Sequence, residues 1–68
     1  MRQVILYTDE DGVWIAECPS LPGCGSDGAT RDEALDNIKE AIELWIEDAE
    51  ANGETIPDDF SPISVVAV

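Results

Sequence analysis

The sequence predicts an α+β fold in which a small mixed β-sheet packs on one helix, in the order β-β-β-α-β. Three observations predict it: two β-rich stretches joined by a tight-turn signal, one long amphipathic stretch with a start signal, and a final β-branched stretch. The 68 residues are expected to form a single domain, residues 1–68. A chain this short buries only about 60% of the surface that its unfolded form exposes, so its core must be thin.

The first two strands are predicted over residues 1–8 and 13–18, which are rich in β-branched and aromatic side chains. Between them, Asp11-Gly12 is a typical signal of a tight hairpin. Neither stretch alternates cleanly between apolar and polar residues, so both faces of the sheet are expected to contact apolar groups. The Pro-Ser-Leu-Pro-Gly run at 19–23 then breaks regular structure, and residues 24–28 are predicted as a short third strand.

The helix is predicted over residues 31–52. Thr30 and Glu33 form a capping-box pattern, in which the Thr30 hydroxyl accepts from the Glu33 N–H and the Glu33 carboxylate accepts from the Thr30 N–H. An apolar stripe follows at alternating spacings of three and four residues: Leu35, Ile38, Ile42, Trp45 and Ala49. At ~1.5 Å per residue the helix is about 33 Å long, which exceeds the length of the strands. We therefore expect its second half to need a neighbour.

Residues 63–68 are predicted as the last strand, parallel to the first strand through a right-handed crossover. This stretch is apolar on both faces, which suits a central or interfacial position. A two-sided apolar sheet and a helix longer than that sheet together predict a homodimer or homotetramer. The predicted oligomer interface contains Trp45, Ile46, Val66 and Val68.

The composition excludes several classes of function. Sixteen Asp and Glu against three Lys and Arg, with no His, give a net charge of −13, which opposes direct binding of DNA or RNA. No apolar run approaches the ~18 to 20 residues of a membrane span, and no signal peptide is evident, so a cytoplasmic protein is expected. Cys18 and Cys24 are close enough in sequence for a disulfide, but a reducing compartment favours free thiols that fill the core.

No catalytic residue, metal ligand or cofactor is predicted. A nucleophile would lack a His base, and the helix carboxylates diverge into solvent instead of converging on one metal. The acidic cluster at 9–11 does not have the spacing of an EF-hand loop, and the glycine-rich stretch at 23–28 lacks the lysine of a phosphate-binding loop. We therefore expect a protein without enzymatic activity.

The negative charge is concentrated on one side of the helix. At about 100° per residue, seven carboxylates fall within an arc of about 100°, nearly opposite Trp45: Asp32, Glu33, Asp36, Glu40, Glu43, Glu47 and Glu50. A solvated surface explains such an arc, but a plain soluble helix usually mixes in more lysine. The pattern favours a binding face for a basic partner, formed by Asp36, Glu40, Glu43 and Glu47, with Leu44 beside it as an apolar anchor.

The sequence resembles the N-terminal domain of HicB-type antitoxins over nearly its whole length. The resemblance lies in DGVWIAECPSLPGC (residues 11–24), SDGAT (26–30) and EALDNIKEAI (33–42). It implies a β-β-β-α-β fold described as a degenerate RNase H-like domain. It also implies a function, the binding and silencing of a HicA toxin, a small basic mRNA-cleaving protein with a double-stranded-RNA-binding-like fold.

The sequence departs from that family's pattern in two respects, which affect the expected DNA binding and nuclease activity. HicB antitoxins typically carry a helix-turn-helix or ribbon-helix-helix segment that binds the operator, and residues 1–68 show none, so a short or solitary form without operator binding is expected. The final stretch at 63–68 contains no carboxylate, which argues against an RNase H-like metal site and nuclease activity. The leading hypothesis is neutralisation of a basic HicA-like toxin; the alternative is a solitary oligomeric structural or regulatory protein without a toxin partner.

Overall fold

A computed structural model describes residues 2–60 and 62–68 of the chain. Its elements are β1 (Ile5–Thr8), β2 (Trp14–Glu17), β3 (Gly25–Gly28) and α1 (Arg31–Ala51). The strands form one antiparallel sheet in the order β1-β2-β3, and the helix packs against it. The predicted α+β class and the order of the first four elements are confirmed.

The hairpin between β1 and β2 is closed by Asp9. Its carboxylate accepts hydrogen bonds from the N–H groups of Asp11 (2.9 Å) and Val13 (3.0 Å), and its backbone N–H donates to the Val13 carbonyl. Gly12 adopts a positive φ of 79°, a conformation that glycine reaches without steric cost. The Asp-Gly signal in the sequence therefore marks the turn correctly.

The loop between β2 and β3 places a leucine in the core. Pairing continues past the strand ends, because the Cys18 N–H donates to the Cys24 carbonyl at 3.0 Å. Two further backbone bonds, from Leu21 to the Cys18 carbonyl and from Cys24 to the Leu21 carbonyl, fold the intervening residues into a compact turn. Leu21 points inward from this turn and is 1% exposed. A segment that reads as a simple chain break thus supplies one of the largest buried side chains.

The helix begins where the sequence predicts, because Thr30 caps it. The Thr30 hydroxyl accepts from the Glu33 N–H at 3.1 Å, which satisfies one of the free donors of the first turn. Gly28, at the end of β3, lets the first turn of α1 approach the sheet. A Cβ at this position would lie 2.5 Å from the Ala34 backbone nitrogen. The absence of a side chain therefore sets the distance between helix and sheet.

The helix lies mainly over β3 and β2 and touches β1 least. The core between the two layers is small, and its fully buried members are Ala16, Cys18, Leu21, Cys24, Ala34 and Ile38. The second half of the helix is covered by the chain's own loops: the Trp45 indole N–H donates to the Pro22 carbonyl at 3.0 Å, and Ile56 packs against the core. The neighbour that the sequence predicts for this half is thus supplied in part within one chain.

Long-range polar contacts fix the chain after the helix. The Arg2 guanidinium donates to the Ser20 hydroxyl at 3.0 Å and to the Pro57 carbonyl at 2.6 Å. The Asp59 carboxylate accepts from the Gln3 backbone N–H and from the Ser20 hydroxyl, both at 3.1 Å. Residues 57–60 are therefore held between the start of β1 and the loop that follows β2.

The end of the chain differs from the predicted fold. Residues 62–68 form no strand in the described structure, so the sheet is antiparallel throughout and not mixed. The contacts of residues 57–60 hold the chain beside Gln3 and Ser20, and residues 62–68 beyond them pair with no strand edge. A β-branched, apolar segment has strand propensity, but a strand forms only where a partner edge is within reach.

These contacts predict a dependence of stability on pH. Desolvation raises the pKa of Asp59, but the hydrogen bonds from Gln3, Ser20 and Phe60 and the Arg2 charge outweigh it and hold the pKa below its ordinary value of 3.8. A lowered folded-state pKa adds stability above pH 3.8 that is lost as the pH falls through the folded value. Urea unfolding at pH 6 and pH 3 is expected to show a smaller acid loss in Asp59→Asn than in the wild type. Equal losses would contradict this assignment, and Asp58→Asn, which changes an exposed neighbour, is the matched control.

Candidate partner-binding surface

The four carboxylates predicted to bind a partner lie on one exposed side of α1. Asp36, Glu40, Glu43 and Glu47 follow one another at spacings of three and four residues, so helical geometry places them on adjacent turns. All four are exposed, whereas the opposite side of the helix buries Ala34, Ile38 and Ala49. We refer to these four residues as the acidic face.

Leu44 lies at the edge of the acidic face. It follows Glu40 by one turn and precedes Glu47 by three residues, so both carboxylates are its neighbours on the helix surface. Its side chain is 63% exposed and belongs to no core contact. Single exposed leucines are common on protein surfaces, but this one is surrounded by charge, which is the arrangement of an apolar contact with a charged rim.

All four side chains of the acidic face carry negative charge. Like charges one turn apart on a helix repel by a few tenths of a kcal/mol per pair, and the face contains two such pairs, Asp36 with Glu40 and Glu43 with Glu47. The ion pair of Arg31 with Asp32, at 3.9 Å, lies in the first turn and is solvent-exposed, so it contributes little. A basic ligand would relieve the repulsion, and the exposed carboxylates can accept hydrogen bonds from Arg or Lys side chains.

The residues predicted for the oligomer interface occupy different environments. Trp45 is half-buried and hydrogen-bonded to the Pro22 carbonyl, so much of it serves the fold of one chain. Ile46 is half-buried on the side of the helix that faces β1. Val66 and Val68 are exposed. The structure brings the two helix residues near each other and leaves the two valines apart from them, in solvent.

An apolar groove of about 560 Å³ lies between the helix and the residues that lead into β1. We call it the helix-β1 groove, and its apolar lining consists of Val4, Leu35, Ile38, Ile42 and Ile46. Arg2, Lys39 and Glu43 contribute its polar rim. Sequence reasoning missed this groove, because the helical stripe reads as fully buried until the position of the helix over β3 and β2 is known.

The face of the sheet that is turned away from the helix is only partly covered. Ile5, Val13 and Ile15 are half-buried there, and Tyr7 is 43% exposed. The Tyr7 hydroxyl donates to the Glu17 carboxylate at 2.9 Å, and this bond, together with desolvation and nearby negative charge, raises the pKa of Tyr7. The phenol is therefore held in its neutral form. The sequence prediction that both faces of the sheet contact apolar groups is met on the side of the helix; on this outer face it stays a prediction.

The two cysteines are free and buried beside each other at the ends of β2 and β3. Burial raises the pKa of the Cys24 thiol, and Cys18 adds to the effect. A raised pKa disfavours the reactive thiolate, which fits side chains that fill the core. A cavity of about 300 Å³ lies beside them, in the loop between β2 and β3.

Two further kinds of feature are absent from residues 2–60 and 62–68. In this part of the chain, no three Cys, Asp or Glu side chains converge in a way that could hold a metal ion. None of its helical segments combines the length and the apolar character that crossing a membrane requires.

Comparison with known proteins gives a consistent result. A family model described as the HicB-like antitoxin of bacterial toxin-antitoxin systems matches residues 3–67. A UPF0150 protein of Thermoplasma acidophilum is 50% identical over 56 residues, which cover 82% of this chain and 81% of the relative. A UPF0150 protein of Synechocystis is 42% identical over 66 residues, covering 93% of this chain and 84% of the relative. No solved structure matches the chain.

Proposed function

Because this chain belongs to the HicB-like antitoxin family of bacterial toxin-antitoxin systems, we propose that it binds and neutralises a basic mRNA-cleaving toxin of the HicA type through its acidic face. The family supports an antitoxin role and a toxin partner. The identity of that partner and the surface that binds it are the parts that we propose. The observation that carries the proposal is the acidic face, four exposed carboxylates on one side of α1, with Leu44 at its edge.

The proposed mechanism follows from the chemistry of the partner. A toxin that cleaves mRNA must attract a polyanion, so its RNA-binding surface is expected to be basic. The acidic face offers four carboxylates along a rigid helix, which complements such a surface in charge. Complementary charge speeds association and fixes orientation, and the helix and sheet behind the face then block RNA sterically. Neutralisation in this scheme needs binding alone and no chemical step by the antitoxin.

The contribution of Leu44 is distinct from that of the carboxylates. Exposed ion pairs are individually weak, with a median of about 0 to 1 kcal/mol, so charge alone gives fast but short-lived binding. An apolar side chain that becomes buried at an interface adds about 1.5 to 3 kcal/mol. We expect Leu44 to slow dissociation of the complex and the acidic face to speed its formation.

The direct test is an RNA-cleavage assay with a purified HicA-type toxin. Cleavage is expected to stop when antitoxin and toxin are present in equal amounts, and the two proteins are expected to co-purify. The antitoxin alone, with Mg²⁺, is the control and is expected to leave RNA intact. Unchanged cleavage and no co-purification would instead support a solitary oligomeric protein without a toxin partner.

A further inference from the structure

We propose that two copies of this chain exchange residues 63–68, so that this segment of each copy pairs with the free edge of β1 in the other. The side chains of the exchanged segment that point toward the helix then fill the helix-β1 groove. This inference concerns assembly of the chain with itself and stands independently of the toxin.

The first observation is the open edge of β1. Only one side of β1 is paired in the described structure, because the sheet order is β1-β2-β3. The Asp9 N–H donates to the Val13 carbonyl across the β1–β2 pair, so the odd-numbered residues of β1 direct their backbone groups toward β2. The backbone N–H and C=O groups of Leu6 and Thr8 then point away from β2, since the direction of these groups alternates along an antiparallel strand. Such an edge is a template for another strand.

The second observation is the position of the helix-β1 groove. Since α1 lies mainly over β3 and β2, the part of its apolar stripe nearest β1 is only half-covered. Leu35, Ile42 and Ile46 are half-buried there. Neighbouring strands lie about 4.8 Å apart, so a strand added to the edge of β1 would run beneath these side chains. The open edge and the groove together form one vacant strand position.

The third observation is a segment that matches this position. Residues 63–68 are β-branched or small and almost wholly apolar, which gives them strand propensity. Val65 is 87% exposed and Val66 is 72% exposed, so neighbouring side chains on both faces lack cover. In a strand beside β1, alternate side chains would enter the groove, and the others would extend the open sheet face next to Ile5 and Tyr7.

The contacts of residues 57–60 favour a second copy as the source of that strand. Arg2 and Asp59 both bond Ser20, which follows β2, so the chain is held on the β2 side of β1. The free edge lies on the other side, and Val65, Val66 and Val68 of the chain's own segment are exposed, so they do not occupy it. In a two-fold symmetric dimer each copy supplies one segment and one groove, so both vacant positions are filled.

The charge distribution also favours a second copy as the source of the strand. Each copy has a net charge of −13, so two copies repel each other over most of their surfaces. Arg2 and Lys39, two of the three basic residues in the chain, border the groove beside Glu43. The groove is thus one of the least negative parts of the surface, and a neutral apolar segment is the part of the chain that can approach it at the lowest electrostatic cost.

Sedimentation equilibrium on the full chain tests the exchange. The wild type is expected to sediment at twice the 7.4 kDa chain mass at micromolar concentration. The pair Val66→Ser and Val68→Ser is expected to raise the dimer dissociation constant about 100-fold, since two apolar side chains leave the contact. Both valines are exposed in the single chain, so this variant keeps its fold. Leu44→Ser, which changes an exposed leucine outside the groove, is the matched control and is expected to leave the dimer intact.

Isotope-filtered NMR on a mixture of labelled and unlabelled copies identifies the donor of the segment. Methyl contacts of Val66 or Val68 with Leu35 or Ile42 are expected between copies. A monomeric wild type, a dimer that the serine pair leaves unchanged, or methyl contacts within one chain alone would each overturn the proposal.

Discussion

Replacing Glu40, Glu43 and Glu47 together by lysine is expected to weaken binding of a HicA-type toxin by at least about 100-fold. The three side chains are exposed on adjacent turns of α1, so their removal breaks no contact in the fold. Three local attractions become repulsions, which slows association and destabilises the complex. Within the helix the pairs four residues apart balance, because position 40 gains an attraction to Asp36 while position 43 loses its attraction to Lys39, so we expect little change in thermal stability. Toxin affinity by calorimetry and thermal unfolding by circular dichroism measure the two effects.

The control for this variant separates local from global charge. Glu10, Asp11 and Glu54 are exposed carboxylates outside the acidic face, and their joint replacement by lysine changes the net charge by the same amount. This control is expected to keep most of the toxin affinity and to lose only long-range steering, which salt screens. Equal losses in both triple variants would show that overall charge, and not the acidic face, is responsible for binding.

Gly28→Ala is expected to destabilise the fold by about 3 kcal/mol, because the added methyl group collides with backbone atoms. Its Cβ would lie 2.5 Å from the Ala34 nitrogen and 2.9 Å from the Glu33 carbonyl carbon. These atoms belong to the first turn of α1, so relief requires the helix to move off the sheet. A chain of this size has a total stability of only about 3 to 10 kcal/mol, and we expect a large fraction of the variant to unfold. Urea titration followed by circular dichroism measures the loss.

Gly25→Ala is the matched control for that substitution. Gly25 lies in the same strand, and a Cβ there would meet the Ala16 carbonyl oxygen at 3.3 Å, a tight contact that a small shift relieves. We expect this variant to lose less than about 1 kcal/mol. Equal stability of Gly28→Ala and the wild type would contradict the close helix-sheet packing described here.

Local signals in the sequence predict most of this fold. The Asp9–Gly12 turn and the start of the helix depend on neighbours within a few residues, and the structure places both as predicted. Of the predicted capping box, the described residues show the bond from the Glu33 N–H to the Thr30 hydroxyl and not the reciprocal one. Of the apolar stripe, Ile38 and Ala49 are buried, and the other three members are half-buried. The position of the third strand also follows, because the loop before it contains residues that exclude regular structure. The exposed positions of the acidic face follow from helical geometry once the buried stripe is identified.

The remaining features depend on contacts between distant parts of the chain. Asp59 binds Gln3 and Ser20, and no local pattern in the sequence marks this association. Residues 63–68 follow this association and pair with no strand edge in the single chain, despite their strand propensity. The helix-β1 groove has the same origin, since its opening is set by the close approach of α1 to Gly28 and not by the helical stripe.

An NMR titration of the isotope-labelled chain with a purified HicA-type toxin tests the central claim most directly. The largest shifts and line broadening are expected at the amides of Asp36, Glu40, Glu43, Leu44 and Glu47, with the strands little affected. Perturbation confined to β1, the apolar lining of the helix-β1 groove or residues 63–68, with the acidic face unchanged, would contradict the proposal that this face binds the toxin.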